Sequence, residues 1–333
     1  MTKNIIKVIT TGSSEMNFKK YLTNILNKKD ILSNYQIINV NNKISLEKHL
    51  LTADAILTHK WPNKTIEAPK LKLILSPGAG YDKIHLPSVP KGCAVCNVFE
   101  HEIPIAEYCI LAMLESEINL TKMNIKLKQR NWEDHFSSSA FHGELFSKNL
   151  SIIGYGHIGK QVAKRAKAFG MNISALVRTP EKYKNTFKNV KFLSIKNIKK
   201  HIENINYLII TCPLTEETKN LISLDCIKKM NKNAVIINVA RGPIINEEAL
   251  YIALSKKLIR QAVIDVWYQY PNANSLKKLW PSKYPLHKLD NIIMSSHMSA
   301  WTKNVWDRRF EIMSQNLENL RKRKKLINIV YTS

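Results

Sequence analysis

No stretch of the 333-residue chain approaches the about 20 consecutive apolar residues that a membrane-spanning helix requires. The apolar residues near the N-terminus are interrupted by Lys7, so they predict a first β-strand and not a signal peptide. Cysteine is scarce, and the five cysteines are scattered, which suits a reducing compartment better than a disulfide framework. We therefore expect a globular, cytoplasmic protein without a membrane partner.

A zinc site is also not expected. Cys93 and Cys96 form a CxxC pair, but no second pair or nearby Cys/His set completes the four ligands of a structural zinc ion. The surrounding segment, GCAVCNV, is typical of a buried strand. Both cysteines are therefore interpreted as structural.

Acidic residues are few, 26 against 51 basic ones, and the formal net charge is +25. Such an excess ordinarily suggests a nucleic-acid partner. Here most of it is lysine spread along the whole chain, and the one dense run, residues 321–325, follows a predicted helix whose dipole favours cations at its end. We expect no nucleic-acid partner, and the positive field suits a small anionic substrate.

Short apolar runs alternate with amphipathic stretches, which predicts parallel α/β sheets. In the first series the predicted strands are residues 5–10, 35–40, 55–58 and 72–75, with helices at 18–26 and 46–51. A helical pattern over residues 102–117 leads out of this series, and polar residues 119–148 form a connection. The second series has strands at 150–154, 173–177, 207–211, 234–239 and 261–265, and a last helix at 304–320.

The segment GYGHIG, residues 154–159, lies between a predicted strand and a predicted helix, which is the context of a dinucleotide-binding turn. Gly154 permits the tight turn, Gly156 lets the backbone approach the pyrophosphate, and Gly159 lets the helix pack on the strand. The pyrophosphate then lies at the helix N-terminus. The segment predicts a nicotinamide dinucleotide as cofactor.

The strand that follows lacks the acidic residue that normally receives the adenosine ribose in NAD-specific proteins. Val177 stands at that position, and Arg178 with Thr179 follows it. An arginine and a hydroxyl can receive the 2′-phosphate of NADP, so the pattern favours NADP over NAD. The other interpretation is that Arg178 is only a solvated charge at a strand end.

Polar residues with suitable chemistry follow the later strands. Arg241 can clamp a carboxylate and polarise a carbonyl group, Asp265 ends the next strand, and His297 can exchange a proton near neutral pH. In the first series, the loop SPGAGYD offers exposed backbone N–H groups that can hold an anion. Parallel sheets place their ligands at such strand ends.

With these segments in order, the chain resembles the D-isomer-specific 2-hydroxyacid dehydrogenase family. The resemblance covers nearly the whole chain, through the motifs SPGAGYD, IAEYCILAML, LSIIGYGHIGKQVAKRAKAFGM, CPLTEETKNLIS, NVARGPIINEEAL, VIDVW and SSHMSAWT. It implies hydride transfer between NAD(P)H and a small 2-oxo or 2-hydroxy acid, with Arg241 on the carboxylate and carbonyl and His297 as general acid and base. Ala79 and Gly80 would hold the carboxylate. The residues implied to line the cofactor are Gly154, Gly156, His157, Ile158, Gly159, Arg178, Thr179, Pro213, Thr218, Val239, Ala240, Asp265, which contacts the nicotinamide carboxamide, and His297.

The resemblance also implies two Rossmann-like or flavodoxin-like doubly wound domains with parallel sheets. The substrate domain would comprise residues 1–101 and 299–333, and the cofactor domain, residues 102–298, would be inserted into it. The family usually forms a dimer through the cofactor domain, so we expect a homodimer.

The main departure from the family pattern is Tyr270, which replaces a glutamate that most members pair with the histidine. A tyrosine hydroxyl can orient the imidazole, so we assign Tyr270 to the catalytic set, but it supplies no charge. Formate dehydrogenases also lack this glutamate, so formate-like hydride transfer is one alternative; a dinucleotide-sensing corepressor is another. We further hypothesise that Glu100, His101 or Glu102 compensates for the missing carboxylate; the competing interpretation is a charged helix N-terminus.

Overall fold

The structure is a computed structural model that describes residues 5–11, 17–137, 141–183, 189–271 and 278–333. The strands of these residues are β1 Ile6–Thr10, β2 Tyr35–Asn39, β3 Ala55–Leu57, β4 Leu73–Leu75, β5 Ala94–Cys96, β6 Asn149–Ile153, β7 Asn172–Val177, β8 Val190–Ser194, β9 Tyr207–Ile210, β10 Val235–Asn238, β11 Gln261–Ile264, β12 Ile292–Met294 and β13 Ile329–Thr332. The α-helices are α1 Phe18–Lys28, α2 Lys43–Leu50, α3 Glu102–Ile118, α4 Leu120–Lys128, α5 His157–Ala168, α6 Ile198–His201, α7 Leu224–Ile227, α8 Glu247–Ser255 and α9 Lys303–Arg321. Among the described helices, none combines the length and the apolar character needed to span a bilayer.

The chain divides into two compact units. The first unit comprises Met1–Glu100 and Thr302–Ser333, and the second unit comprises His101–Trp301. The second unit is thus inserted into the sequence of the first, and the predicted α/β class with an inserted domain is confirmed. The predicted boundaries, after residues 101 and 298, lie close to these limits.

The first unit is built on a sheet with the strand order β13-β5-β4-β3-β1-β2. Strands β1 to β5 are parallel and follow the 2-1-3-4-5 order of flavodoxin-like sheets, while β13 pairs with β5 in the antiparallel direction. Helices α1 and α9 cover one face through Phe18 and Phe310. Cys93 and Cys96 are buried and free, and burial raises the pKa of both thiols to about 12. This agrees with their structural interpretation.

The second unit contains a parallel sheet with the strand order β12-β11-β10-β9-β6-β7-β8. Six of these strands, β8-β7-β6-β9-β10-β11 across the sheet, have the 3-2-1-4-5-6 order of a Rossmann sheet. Strand β12 extends the sheet beside β11. Helices α3 and α5 pack on one face and α8 on the other. Because all the strands are parallel, their carboxyl ends lie at one edge, and the predicted site residues of this unit follow those ends.

A buried ionic cluster lies at the opposite, amino-terminal edge of this sheet. Glu117, near the end of α3, accepts hydrogen bonds from Arg260 Nη2 at 2.8 Å and from the Tyr207 hydroxyl, and Lys148 Nζ lies 3.5 Å away. Burial acts to raise the pKa of the Glu117 carboxyl, but the bonds from Arg260 and Tyr207 outweigh it and hold that pKa below its ordinary value. The cluster stabilises the unit far from the strand ends that carry the candidate site.

Some elements of the structure were not predicted from the sequence. The segment 119–148, predicted as a connection, contains helix α4, and strands β8 and β13 were not predicted. The basic run at the end of α9 behaves as expected for a helix end, because Arg321 and Lys322 both bind Glu318, at 2.6 and 2.8 Å.

Candidate active site

The glycines of GYGHIG have three distinct geometries. Gly154 has a φ of +89°, and a Cβ atom there would lie 3.0 Å from the backbone of Cys212. A Cβ atom on Gly159 would lie 2.3 Å from the carbonyl oxygen of Gly154, whereas one on Gly156 would meet nothing within 4 Å. The first and third glycines are therefore required by the turn itself, and the second leaves open space beside the backbone.

That open space adjoins the N-terminus of α5. Gly156 is the N-cap residue, His157 and Ile158 form the start of the first turn, and no described side chain caps the helix. Unpaired N–H groups and the helix dipole favour an anion at this position. The turn therefore fits the pyrophosphate of a dinucleotide.

The end of β7 is the position that distinguishes the two dinucleotides. Val177 is buried in the sheet, and Arg178 and Thr179, directly after the strand, are exposed. Within the described part of the chain, no ion pair involves the Arg178 guanidinium. The positive charge stands at the strand end without an acidic neighbour bound to it.

Pro213 and Thr218 lie in the loop after β9. Pro213 is exposed, but Thr218 is buried, and its hydroxyl accepts from the N–H of Thr215 and donates to the carbonyl of Pro213, both at 2.7 Å. The Thr218 hydroxyl therefore holds the loop in shape. A contact from Pro213 or Thr218 to the adenosine remains a prediction.

Arg241 follows β10 in a tightly braced turn. The Asn238 side chain accepts from Ala240 N at 3.1 Å and donates to Arg241 O at 2.9 Å. A Cβ atom on Gly242 would lie 2.5 Å from the backbone of Trp267, so this glycine allows the turn to approach the loop after β11. Arg241 is half-buried, and Val239 and Ala240 before it are buried. Neither Asn238 nor Gly242 was singled out from the sequence.

Asp265, directly after β11, is completely buried. Its carboxylate accepts from Ser295 Oγ at 2.5 Å, Met298 N at 2.8 Å and Ser299 N at 3.1 Å. All three donors belong to the loop after β12, on either side of His297. Asp265 therefore binds the histidine loop; its contact with the nicotinamide carboxamide stays a prediction.

His297 is exposed and has a φ of +62°, which is uncommon for a residue with a side chain. Its Nδ1 lies 3.0 Å from the Tyr270 hydroxyl. The N–H of Trp267 donates to the same hydroxyl at 3.1 Å. The structure thus brings together Tyr270 and His297, two of the residues predicted to be catalytic.

Burial raises the pKa of Tyr270, with the Trp267 N–H acting in the opposite direction. The hydroxyl is therefore uncharged near neutral pH, and it can orient the imidazole without supplying a negative charge. The Glu100 carboxylate binds Arg308 Nε at 3.0 Å within the first unit, and its compensation for the missing glutamate stays a prediction. Glu102 lies in the first turn of α3, with its carboxylate 3.9 Å from His101 Nδ1.

The loop after β4 in the first unit carries Ala79 and Gly80. Its carbonyl groups are held from within the unit: Asn97 Nδ2 donates to Ala79 O at 2.8 Å, and Ser76 Oγ donates to Gly80 O at 3.1 Å. The N–H groups of Ala79 and Gly80 donate to no group in the described residues. Their binding of a substrate carboxylate stays a prediction.

The family model of the D-isomer-specific 2-hydroxyacid dehydrogenase NAD-binding domain matches residues 110–299. The chain belongs to this family. Among relatives, the chain is 34% identical over 241 residues to the hydroxypyruvate reductase of Thermotoga maritima, covering 71% of this chain and 74% of the relative. It is 33% identical over 267 residues to the D-3-phosphoglycerate dehydrogenase of Methanocaldococcus jannaschii, covering 79% of this chain but only 48% of that longer relative.

Solved structures share the fold of these 2-hydroxyacid dehydrogenases. The NAD-dependent formate dehydrogenase of Staphylococcus aureus in complex with NAD has a TM-score of 0.74 at 24% identity, covering 98% of this chain and 100% of that one. An acyclic imino acid reductase in complex with NADPH and D-Arg has a TM-score of 0.77 at 18% identity, with the same coverage. The predicted family, fold and oxidoreductase class are thus confirmed, and so is a nicotinamide dinucleotide as cofactor.

Trp267, Trp301 and Trp306 have different surroundings. Trp267 is buried, and its Nε1 donates to Ser295 O at 2.7 Å. Trp306 is buried in the core of the first unit, and Trp301 is exposed. Packing is therefore the role of Trp267 and Trp306.

Proposed function

We propose that this protein transfers a hydride between a nicotinamide dinucleotide and C2 of a small 2-oxo or 2-hydroxy acid. The observation that carries the proposal is the Tyr270–His297 pair at the same sheet edge as the GYGHIG turn. When bound, the reduced nicotinamide supplies the hydride. The chain's own residues bind the acid and move the proton.

Arg241 would bind the carboxylate and the carbonyl oxygen of the substrate, because a guanidinium offers two parallel donors to such a group. The N–H groups of Ala79 and Gly80 would bind the carboxylate as well. In reduction, His297 would deliver its Nε2 proton to the oxygen as the C2 carbon receives the hydride; in oxidation it would remove that proton.

The hydrogen bonds of Tyr270 determine which imidazole nitrogen faces the substrate. The Tyr270 oxygen has two lone pairs, so it can accept from both Trp267 N and the Nδ1–H of His297. The neutral ring then carries its proton on Nδ1 and keeps a lone pair on Nε2, which takes the substrate proton in oxidation; the imidazolium formed returns it in reduction. Nε2 is thereby the nitrogen directed away from Tyr270 and toward the substrate.

For the cofactor, we infer a preference for NADP. The exposed Arg178 and Thr179 at the end of β7 support it, together with the absence of an acidic residue at Val177. Formate is a second candidate substrate, favoured by the uncharged Tyr270 beside His297. Formate oxidation requires hydride transfer alone, so a charged partner for the histidine is not needed.

We further infer a homodimer. Eight large apolar side chains of the second unit are exposed within residues 111–146: Leu111, Leu120, Ile125, Leu127, Trp132, Phe136, Phe141 and Phe146. So many large apolar side chains exposed within one segment suit a surface that is covered by a partner. A second copy of this chain is the occupant, because the family resemblance implies a dimer formed through this domain.

The proposed function is tested by assaying glyoxylate, hydroxypyruvate, pyruvate and bulkier 2-oxo acids with NADH and with NADPH, and formate with NAD and with NADP. We expect turnover of a 2-oxo acid, loss of turnover in Arg241→Ala and His297→Asn, and undiminished dinucleotide binding in Arg241→Ala. Absence of turnover in every combination, with dinucleotide still bound, would refute the enzyme and favour a dinucleotide-sensing protein.

A further inference from the structure

A directed chain of hydrogen bonds runs from helix α3 to the loop that carries His297. The Tyr108 hydroxyl lies 2.7 Å from Ser295 Oγ, and Ser295 Oγ lies 2.5 Å from Asp265 Oδ1. An ionised carboxylate only accepts, so Ser295 donates to Asp265. The Ser295 oxygen is then left to accept the proton of Tyr108, which fixes the direction of the whole chain.

Asp265 also binds the two residues that follow His297. Its carboxylate also accepts from Met298 N and Ser299 N, so residues before and after His297 bind one buried group. Ser295 is further held through its N–H, which donates to Ile264 O at 3.0 Å. The loop is therefore fixed at both ends, with His297 between them.

The constraint matters because His297 adopts a left-handed backbone conformation, with a φ of +62°. For a residue with a side chain this conformation costs about 1 kcal/mol. The hydrogen bonds of Ser295, Met298 and Ser299 to Asp265 fix the backbone on both sides of His297 and so stabilise this conformation. Losing part of them would let the loop relax and would displace the imidazole from Tyr270.

We propose that Tyr108 is a positioning residue for the reaction: through Ser295 and Asp265 it holds His297 in the orientation that faces the substrate. This inference rests on the proposed function. Among the described residues the hydrogen-bond partner of the Tyr108 hydroxyl is Ser295, so Tyr108 acts on His297 through the loop. Burial raises the pKa of Tyr108, so its hydroxyl remains a donor near neutral pH.

The test compares Tyr108→Phe with Tyr207→Phe. Both remove one hydrogen-bonded hydroxyl from the second unit, but that of Tyr207 binds Glu117 at the opposite edge of the sheet. For Tyr108→Phe we expect kcat to fall about fivefold, the effect of one lost hydrogen bond. The KM for the 2-oxo acid and the dissociation constant for the dinucleotide should stay near their wild-type values.

Hydrogen–deuterium exchange provides a readout that does not depend on activity. The amides of Met298 and Ser299 should exchange about fivefold faster in Tyr108→Phe, and Ser295→Ala should act in the same direction. Ser295→Thr, which keeps the hydroxyl, should restore slow exchange and kcat.

The proposal is overturned if Tyr108→Phe leaves both kcat and the exchange of these amides unchanged, or if Tyr207→Phe changes them equally. If the wild-type protein turns over no 2-oxo acid, the proposed function fails, while the exchange measurement still decides whether Tyr108 holds the loop.

Discussion

Replacing Tyr270 with glutamate should shift the pH dependence of turnover to higher pH. The Tyr270 hydroxyl contacts His297 Nδ1 but is uncharged near neutral pH, because burial raises its pKa. A carboxylate at this position would favour the protonated imidazole by direct charge attraction. The substitution therefore introduces one charge beside the proton donor.

The magnitude follows from the distance and the exposure of this position. The hydroxyl lies 3.0 Å from Nδ1, and the shorter glutamate side chain would place its carboxylate somewhat farther away. An opposite charge within about 4–6 Å shifts a pKa by about 1–3 units. Because the Tyr270 side chain is 47% exposed, solvent screens the pair, and we expect a shift of about one unit.

The pH midpoint is expected to move upward for both reduction and oxidation. Reduction requires the protonated imidazole, so its rate falls as the pH rises through the histidine pKa; oxidation requires the neutral imidazole, so its rate increases through the same pKa. In Tyr270→Glu both midpoints should lie about one pH unit higher than in the wild type.

Initial rates of kcat/KM against pH, followed by the absorbance of the reduced nicotinamide, measure these midpoints. Tyr270→Gln is the matched control, because it has the size of glutamate without the charge, and its midpoints should stay near those of the wild type. If Tyr270→Glu binds dinucleotide normally but keeps the wild-type midpoints, the electrostatic reasoning is wrong.

Three further outcomes are expected. Gly159→Ala should lose dinucleotide binding, measured by fluorescence titration, since its Cβ would lie 2.3 Å from a backbone oxygen; binding within twofold of wild type would contradict this. Arg178→Ala should raise the KM for NADPH at least about tenfold and leave that for NADH nearly unchanged; equal effects on both would contradict a 2′-phosphate contact. Glu117→Gln should lower the free energy of unfolding in urea by about 1–3 kcal/mol at neutral pH. The lowered native pKa of Glu117 gives stability that is fully present above the unfolded pKa of about 4.3 and is lost as the pH falls below it, so the difference should shrink only below about pH 4. A difference that does not depend on pH would show that the charge is not the cause.

The sequence predicted the elements whose signal is local. The GYGHIG turn depends on residues that are contiguous in the chain, and most strands are short continuous apolar runs because both faces of their sheets are covered. Helix α4 was missed because Leu120, Ile125 and Leu127 are all exposed, so its apolar residues form no buried stripe. Strands β8 and β13 lie at sheet edges and are only partly buried, which weakens the same signal.

The parts of the site that the sequence did not reveal depend on tertiary contacts. Tyr108 and Ser295 are separated by 187 positions, and no spacing rule connects a tyrosine on one helix with a serine that distant. The roles of Gly242 and Asn238 likewise depend on how closely two loops approach. By contrast, the departure at Tyr270 was readable from the motif alone, and the structure shows what this tyrosine contacts.

The division of the first unit into two segments has a consequence for how the protein assembles. Phe18 packs with its ring centroid 6.1 Å from that of Phe310, and Ser333 N donates to Cys93 O at 3.1 Å, so this unit needs residues from both ends of the described chain. During synthesis the second unit has all of its strands available while α9 and β13 are still missing. Contacts between such distant segments form slowly. The inserted unit is therefore expected to fold first. The first unit completes its sheet only after β13 has been synthesised.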